Sequence, residues 1–485
     1  MDNITRPGRL AAAALLCLTV SALSVSAQEN SPGAKKRKAA PARDGREIAP
    51  AVVAARPLII SEFRLHGTNG PNDEFIEIYN ASNAAHTVNS SDGSATGYAV
   101  AASDGAVRFT IPQGTTIPAR GHYLGCNSSV NGYSLASLPS GNDGASATTA
   151  TCDATYTVNI PSGEDPDGAG GNPPLPRRGI ALFSTATPAN FSTGTKLDAV
   201  GPTEEANALY KEGTGVRNLT SLSTAHSYVR RLPGGCIGTD PDTVDANCTN
   251  ALAVVATSPA SSAHPQDTDN NRDDFIFVDT NGTPQSPEGT QQRLGVPGPE
   301  NSTSPINRSA VIPASLVFPC AGAQSPPNQQ RDFTQDTANE SFFGTLEIRR
   351  KFTNKTGASI TRLRFRVVDI TVFPSGQFAL PTGTTCGDPG TSCAADLRPR
   401  SSLLVTVANP AECGGGTVNI QGTTLEEAAG SEGQPNSGGY NSTLSAGTVT
   451  LGTPLANAAS INLRFLLGVQ QKGVYRFFIV VEALP

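Results

Sequence analysis

The sequence predicts an all-β protein built as two β-sandwich domains, and three observations carry that prediction. The 485 residues include 49 glycines and 37 prolines, which interrupt the chain too often for long helices. Charged residues make up only 16%, against about 25% in an average soluble protein, too few for a coiled coil or a charge-rich disordered chain. Short apolar or alternating runs recur between clusters of Gly, Pro, Asn and Ser, the pattern of strands joined by turns. With 37% hydrophobic residues the chain can bury real cores, and its length suits more than one domain.

The N-terminus reads as a secretory signal peptide over residues 1–27. Arg6 and Arg9 precede the apolar run from Leu10 to Val20, and Val25-Ser26-Ala27 supplies a small-residue cleavage site. No later stretch approaches the roughly 18 apolar residues that a membrane-spanning helix needs, so the expected location is secreted, either extracellular or periplasmic at the envelope exterior. Residues 28–56 read as a basic, Ala/Pro-rich linker around Lys35-Lys-Arg-Lys38. The chain is mildly acidic, with a formal net charge of −6, which argues against a nucleic-acid partner.

Secretion sets the reading of the cysteines. Cys17 leaves with the signal and eight remain, an even number in an oxidising compartment, which points to disulfides. Four precede residue 250 and four follow residue 319, so pairing within each half is expected. Local closure of turn-rich loops favours Cys236 with Cys248 and Cys386 with Cys393, which leaves Cys126 with Cys152 and Cys320 with Cys413. Zinc binding by thiolates is the alternative, but the chain has no C-x-x-C pair and no His beyond His264.

The strands are expected in order. Leu58–Phe63 is a short apolar run, the cluster from Gly67 to Asp73 is a turn, and Glu74–Tyr79 is a mostly buried strand. Further candidates are 98–101, 106–111, 122–125, 179–184, 196–200 and 227–231. Their density, with turn residues between them, indicates a sandwich over residues 57–295. Gly295–Pro305 is Pro-rich and without periodicity, so 296–305 reads as a hinge. Beyond it, Leu346, Ile348, Arg350 and Phe352 alternate. After the turn at Asn354–Gly357, Leu363, Phe365 and Val367 oppose Arg362, Arg364 and Arg366. That alternation predicts a sheet with one face in a core and an arginine face in solvent, paired across strands to acids. Runs at 403–407, 417–420, 448–451, 461–467 and 475–482 complete a second sandwich over 306–485.

Several of these segments carry a resemblance. Ile59-Ile-Ser-Glu-Phe63, Asp73-Glu-Phe-Ile-Glu-Ile-Tyr-Asn80, Phe109-Thr-Ile-Pro-Gln-Gly-Thr-Thr-Ile-Pro118 and Leu197-Asp-Ala-Val-Gly201 resemble, in the same order, the bacterial secreted lamin tail domain. Tyr228–Pro233 and Gln266–Phe275 resemble later motifs of its secreted members. The resemblance covers about residues 57–295. It implies that the first sandwich is immunoglobulin-like and serves as a non-catalytic binding or attachment module. Residues 127–176 and 235–265 are insertions relative to that pattern, each holding two cysteines. The second domain resembles, more faintly, a C-terminal β-domain of unassigned function that accompanies lamin tail domains.

Asp267, Asp269, Asn271 and Asp273 are the candidate metal ligands. Oxygen-bearing side chains at alternate positions of a tight loop can converge on Ca²⁺, which takes six to eight oxygens. Arg272 and Val278 stand where an EF-hand loop needs Gly and Glu. The alternative is that these side chains cap turns ahead of the strand at Phe275. Glu164–Gly168 is a weaker acidic loop. No other cofactor is expected.

Catalytic patterns are sparse. The five histidines, His66, His86, His122, His226 and His264, are scattered, and no G-x-S-x-G elbow, Walker A or Rossmann motif is present. Glu74 and Glu77 have an odd spacing and so face opposite sides of a strand. His226 reads as a surface or strand-edge residue. The expectation is a non-catalytic secreted structural or binding protein that attaches to a surface polymer or partner protein through sandwich loops. The alternative is an extracellular hydrolase, or an accessory module of one, acting on phosphoesters or nucleic acid.

Overall fold

The computed structural model describes residues 56–136, 150–161, 177–216, 225–231, 251–254, 265–280, 292–372, 395–426, 438–473 and 475–485. The signal peptide, nearly all of the basic linker, the 164–168 loop, His264, Cys236, Cys248, Cys386 and Cys393 lie outside them. The described chain is nearly all β, with one short α-helix at Asn271–Asp274 and three single-turn 3-10 helices.

Two pairs of sheets enclose two apolar cores. The first sheet has seven strands. Its centre pairs Leu58–Arg64 with Phe75–Asn80 on one side and with His226–Arg230 on the other, all antiparallel. A four-stranded sheet, with Tyr98–Ala102 and Ile180–Phe183 at its centre, packs on it. Ile60, Ile76 and Ile78 meet Val100, Ile180 and Leu182 between them. Alternation places these residues inward, as the sequence indicates. Gly125 is needed here for closeness: a Cβ would come within 2.1 Å of the Phe109 ring.

The second pair is built the same way. Thr345–Thr353 pairs antiparallel with Ser460–Gln471 over nine residue pairs in a seven-stranded sheet. Arg362–Ile370 pairs with Arg476–Leu484 in a six-stranded sheet. Phe352, Phe365, Phe465 and Phe477 interlock between the two sheets, with ring centroids 4.7 Å apart for Phe352 and Phe365 and 5.1 Å for Phe365 and Phe465. Tilted and edge-to-face ring contacts of this kind add to area burial. The expected strand at 448–451 does not form; the strand in that region is Thr443–Ser445.

The two pairs are not strung apart on a linker. Ala51–Pro485 is one compact unit. Ala251–Val254, from the 57–295 region, pairs parallel with Arg476–Leu484 of the six-stranded sheet. Ile306–Asn307 pairs with that same strand. The segment expected to be an open hinge is largely covered, with Val296, Glu300 and Asn301 buried. Proline excludes Pro297 and Pro299 from donating in a sheet ladder, and the segment instead lies between the outer faces of the first sheet and the six-stranded sheet. Four β layers result, with polar faces meeting in the middle.

Two of the expected disulfides are formed. Cys126–Cys152 spans 26 residues and joins a small cluster with Phe75, Leu124 and Leu135. Cys320–Cys413 spans 93 residues, tying the loop after Ala314–Leu316 to the turn between Val405–Ala408 and Thr417–Gly422. By loop entropy these closures are worth about 3.5 and about 4.6 kcal/mol. They mark an oxidising, extracytoplasmic environment. No helix among the described residues is long and apolar enough to cross a membrane.

Candidate functional site

The chemistry-bearing side chains gather where the two polar sheet faces meet. Arg362, Arg364 and Arg366 lie there, not in solvent: Arg362 and Arg364 are buried, and the side chain of Arg366 is 11% exposed. Alternation along a strand shows that a face is polar but not whether water or another polar sheet covers it. The expected cross-strand pairing to acids is present. Arg364 sits directly opposite Glu482 in register, with Nε donating to the carboxylate at 2.6 Å. Arg366 Nε donates to the other oxygen of Glu482 at 2.9 Å, and Arg362 donates to Glu426 at 2.8 Å. Burial alone would raise Glu482, but Arg366 and Arg364 outweigh it and hold its carboxyl below the usual value.

Glu300 comes from the covered 296–305 segment and joins both sides. It pairs with Arg364, and with Arg366 at 3.1 Å. Its third contact is His122 Nε2 at 3.0 Å, while His122 Nδ1 lies 3.2 Å from Glu77 Oε1. Each ring nitrogen therefore faces a carboxylate. Glu62 and Glu77 are direct cross-strand partners on adjacent strands, a like-charge arrangement that costs stability when both are ionised. Glu62 accepts from Ser227 Oγ at 2.7 Å, Gly298 N at 2.9 Å and Asn441 Nδ2 at 3.1 Å. Burial first, then the Glu77 carboxylate, push Glu62 up to about 7, against the pull of Arg366 and of its hydrogen bonds. Asn441 holds φ +63°, a left-handed conformation that Asn tolerates.

A cavity of about 80 Å³ lies inside this seam, bounded by Ser61, Glu62, His122, Arg366, Tyr440 and others. At roughly 15 Å³ per water it accommodates about five waters, well short of the roughly 300 Å³ of a small-molecule pocket. Donor atoms of Glu77, His122 and Glu300 lie within 4.8 Å of one another. Two guanidiniums already supply positive charge to Glu300, so the set reads as an ion-pair network.

The four expected calcium ligands do not converge. Asn271 turns into the core, where its amide donates to Ala199 O at 2.7 Å and accepts from Gly201 N and Glu212 N. Asp267 faces Arg230 at 3.4 Å, Asp269 faces Arg56 at 3.0 Å, and Asp273 accepts from Asn270. The one-turn helix at Asn271–Asp274 rotates alternate residues apart, which defeats the every-second-residue pattern. Asp274, outside the expected set, fastens the loop by accepting from Thr268 N and Thr268 Oγ1. Asp267 instead falls near Asp198 and Glu212, around the buried Arg230, whose Nη2 donates to Asp198 at 2.6 Å. Burial opposes the Arg230 charge, but Asp198, Asp267 and Asp274 outweigh it and raise its pKa.

Glu74 and Glu77 face opposite sides, as their spacing requires. Glu74 accepts from Ile160 N at 2.6 Å and Asn127 Nδ2 at 2.9 Å within the first sandwich, and burial pushes it up to about 8. His226 is buried with its ring 5.3 Å from Phe277, not at the surface. Sequence reasoning missed Glu62, Glu300, Glu426 and Glu482; Glu62, Glu300 and Glu482 are each a lone acid in an apolar or Pro-rich run, whereas Glu426 stands beside Glu427. A lone acid of that kind is a signal in itself, since an unpaired charge is seldom buried.

On the outer side of the second sandwich lies a crevice of about 450 Å³. Gln330, Arg331, Phe333, Glu347 and Arg464 line it. Phe333 is 73% exposed and stacks with Arg331, whose guanidinium is 5.1 Å from the ring centroid. Arg464 donates to Leu403 O at 3.4 Å, and Leu403 is 83% exposed.

No protein-family model and no curated protein matches the chain. Among solved structures, a DUF4876 family protein from Bacteroides thetaiotaomicron is similar at 15% identity and a TM-score of 0.27, over 45% of this chain and 70% of that one.

Proposed function

We propose that the chain is a secreted, non-catalytic structural or attachment protein that holds a surface polymer or partner protein at the envelope exterior. The supporting observation is how its charged groups are spent. The buried acids and arginines are matched to one another across a seam with room for a few waters, while a ligand-sized crevice with an exposed aromatic lies on the outside. Phe333 stacked on Arg331, beside Gln330, Glu347 and Arg464, combines an apolar face with hydrogen-bonding groups suited to a polyhydroxylated polymer. The resemblance of residues 57–295 to the secreted lamin tail domain fits an attachment role.

The test is retention of the purified protein on a panel of immobilised neutral and acidic polysaccharides. Retention on at least one is expected, weakened tenfold or more by Phe333→Ala and by Arg464→Ala. Turnover of phosphoester or nucleic-acid substrates would overturn this reading in favour of the hydrolase.

A further inference from the structure

In the first sandwich, three carboxylates from three separate segments converge. Asp198 stands on the strand Lys196–Val200, Glu212 on the loop after it, and Asp267 on the loop ahead of the one-turn helix. One oxygen of each lies within 4.8 Å of the others. The backbone holds them in place: Ile60 N donates to Asp198 Oδ2 at 2.6 Å, Glu212 N to Asn271 Oδ1 at 2.9 Å, and Gln266 N to Arg231 O at 2.5 Å. The two loops approach closely. Gly213, at φ +51°, has no room for a Cβ, which would come within 2.8 Å of Asp269 O.

Two observations point to a cation among these oxygens. Glu212 Oε2 is buried and meets no donor among the described residues, while Oε1 takes both Arg56, at 2.6 Å, and Lys196, at 3.1 Å. The Glu212 side chain is only 2% exposed, and a buried carboxylate oxygen left without a partner is costly. The second observation is charge. Ion pairs connect five carboxylates, Asp198, Glu212, Asp267, Asp269 and Asp274, to three cations, Arg56, Lys196 and Arg230. With all of them ionised, two negative charges are uncompensated. Burial first, and then Glu212 and Asp267, raise Asp198 well above the usual carboxylate value against the pull of Arg230.

We propose that Asp198, Glu212 and Asp267 bind one Ca²⁺, which ties the strand at 196–200 to the two loops that carry Glu212 and Asp267. All three ligands are oxygens, the donors that a hard cation takes. Separations within 4.8 Å suit two bonds of about 2.4 Å across the ion, whereas Mg²⁺, with bonds of about 2.0–2.1 Å, demands a tighter shell. Ca²⁺ also brings the two positive charges that the cluster lacks. The side chain of Asp267, 13% exposed, opens the site to water, which supplies ligands beyond the three carboxylates. Only Asp267 is shared with the alternate-residue loop. Asn271 braces the Glu212 backbone rather than ligating, and Asp273 lies outside the set.

Calorimetry tests the site on the full protein, stripped with a chelator and titrated with CaCl₂ at pH 7.5. One Ca²⁺ per chain is expected, with a Kd at or below about 1 mM, as in extracellular modules, and the Tm is expected to rise with added Ca²⁺. Asp267→Asn and Glu212→Gln should each weaken binding tenfold or more, and Asp273→Asn should leave it within twofold. The proposal is overturned by no binding up to 10 mM, by tighter binding of Mg²⁺, or by affinity that both ligand variants leave within twofold. A loss in Asp273→Asn equal to that in Asp267→Asn overturns it too, because the ion would then sit in the alternate-residue loop. Should Glu212→Gln not fold, Asp267→Asn, at the less buried ligand, decides alone. Should neither fold, hydrogen exchange on the unmodified protein decides. Ca²⁺ must then add about tenfold protection to residues 208–215 and 266–271 but not to the Thr345–Thr353 strand, and absence of that local gain overturns the site.

Discussion

Glu74 shows how one side chain couples the fold to pH. It is buried inside the first sandwich, and the two hydrogen bonds it accepts, from Ile160 N and Asn127 Nδ2, do not offset the cost of burying its charge, so it rises to about 8. An unfolded chain would release that proton near pH 4.3. Because the folded state holds it to higher pH, the associated stability is complete below about pH 4 and is lost as pH rises toward 8. The Tm of Glu74→Gln should therefore fall less between pH 5 and pH 9 than that of the unmodified protein, overtaking it at the alkaline end. Parallel Tm curves for the two proteins would show that Glu74 is not the group responsible. The opposition of Glu74 to Glu77 was legible from odd spacing alone. Its burial was not, because an acid between Asp73 and Phe75 reads equally well as a turn residue.

At the scale of elements, the arginine strand separates what pattern can say from what it cannot. The alternation of Leu363, Phe365 and Val367 with Arg362, Arg364 and Arg366 located the strand and its core face, and the acids opposite the arginines were expected. Their burial depends on a second polar face contributed by Glu62, Glu77 and His122, some 240 to 300 residues earlier in the chain, and no local window contains that information. The energetic consequence is specific. Removing one member of a buried ion pair strands the other, at a cost of about 3–5 kcal/mol. Arg364→Ala, which leaves Glu482 and Glu300 short of a partner, should lower the free energy of unfolding by that amount in a denaturant titration. A loss below about 1 kcal/mol, the range of a surface pair, would mean that water reaches the seam. The disulfides were legible for a different reason: once closure of the short loops was assumed, the described pairs Cys126–Cys152 and Cys320–Cys413 followed. At the calcium candidates a single helical turn at Asn271 changes the period from two to 3.6, and Asp267, Asp269, Asn271 and Asp273 take separate protein partners.

For the whole molecule, the two halves expected as sandwiches, 57–295 and 306–485, pack into one compact unit. Residues 57–295 supply the first sandwich, but Ala251–Val254 leaves it to pair with Arg476–Leu484 near the C-terminus. Gly295 bridges Tyr440, and Val296 N donates to Tyr440 O at 3.1 Å. The six-stranded sheet thus takes strands from both halves, and its outer face is covered by carboxylates of the first. Cutting the chain at the 296–305 segment would expose Arg362, Arg364, Glu426 and Glu482 together, and would free the edge of the Arg476–Leu484 strand that 251–254 now occupies. Unpaired edges of that kind invite aggregation. Residues 306–485 produced alone should therefore be insoluble or partly unfolded, whereas co-production with residues 57–305 should restore a soluble complex that co-elutes as one species. If 306–485 alone gave a cooperative thermal transition at the Tm of the intact chain, the seam would contribute little, and the two sandwiches would behave as independent modules joined by an ordinary linker.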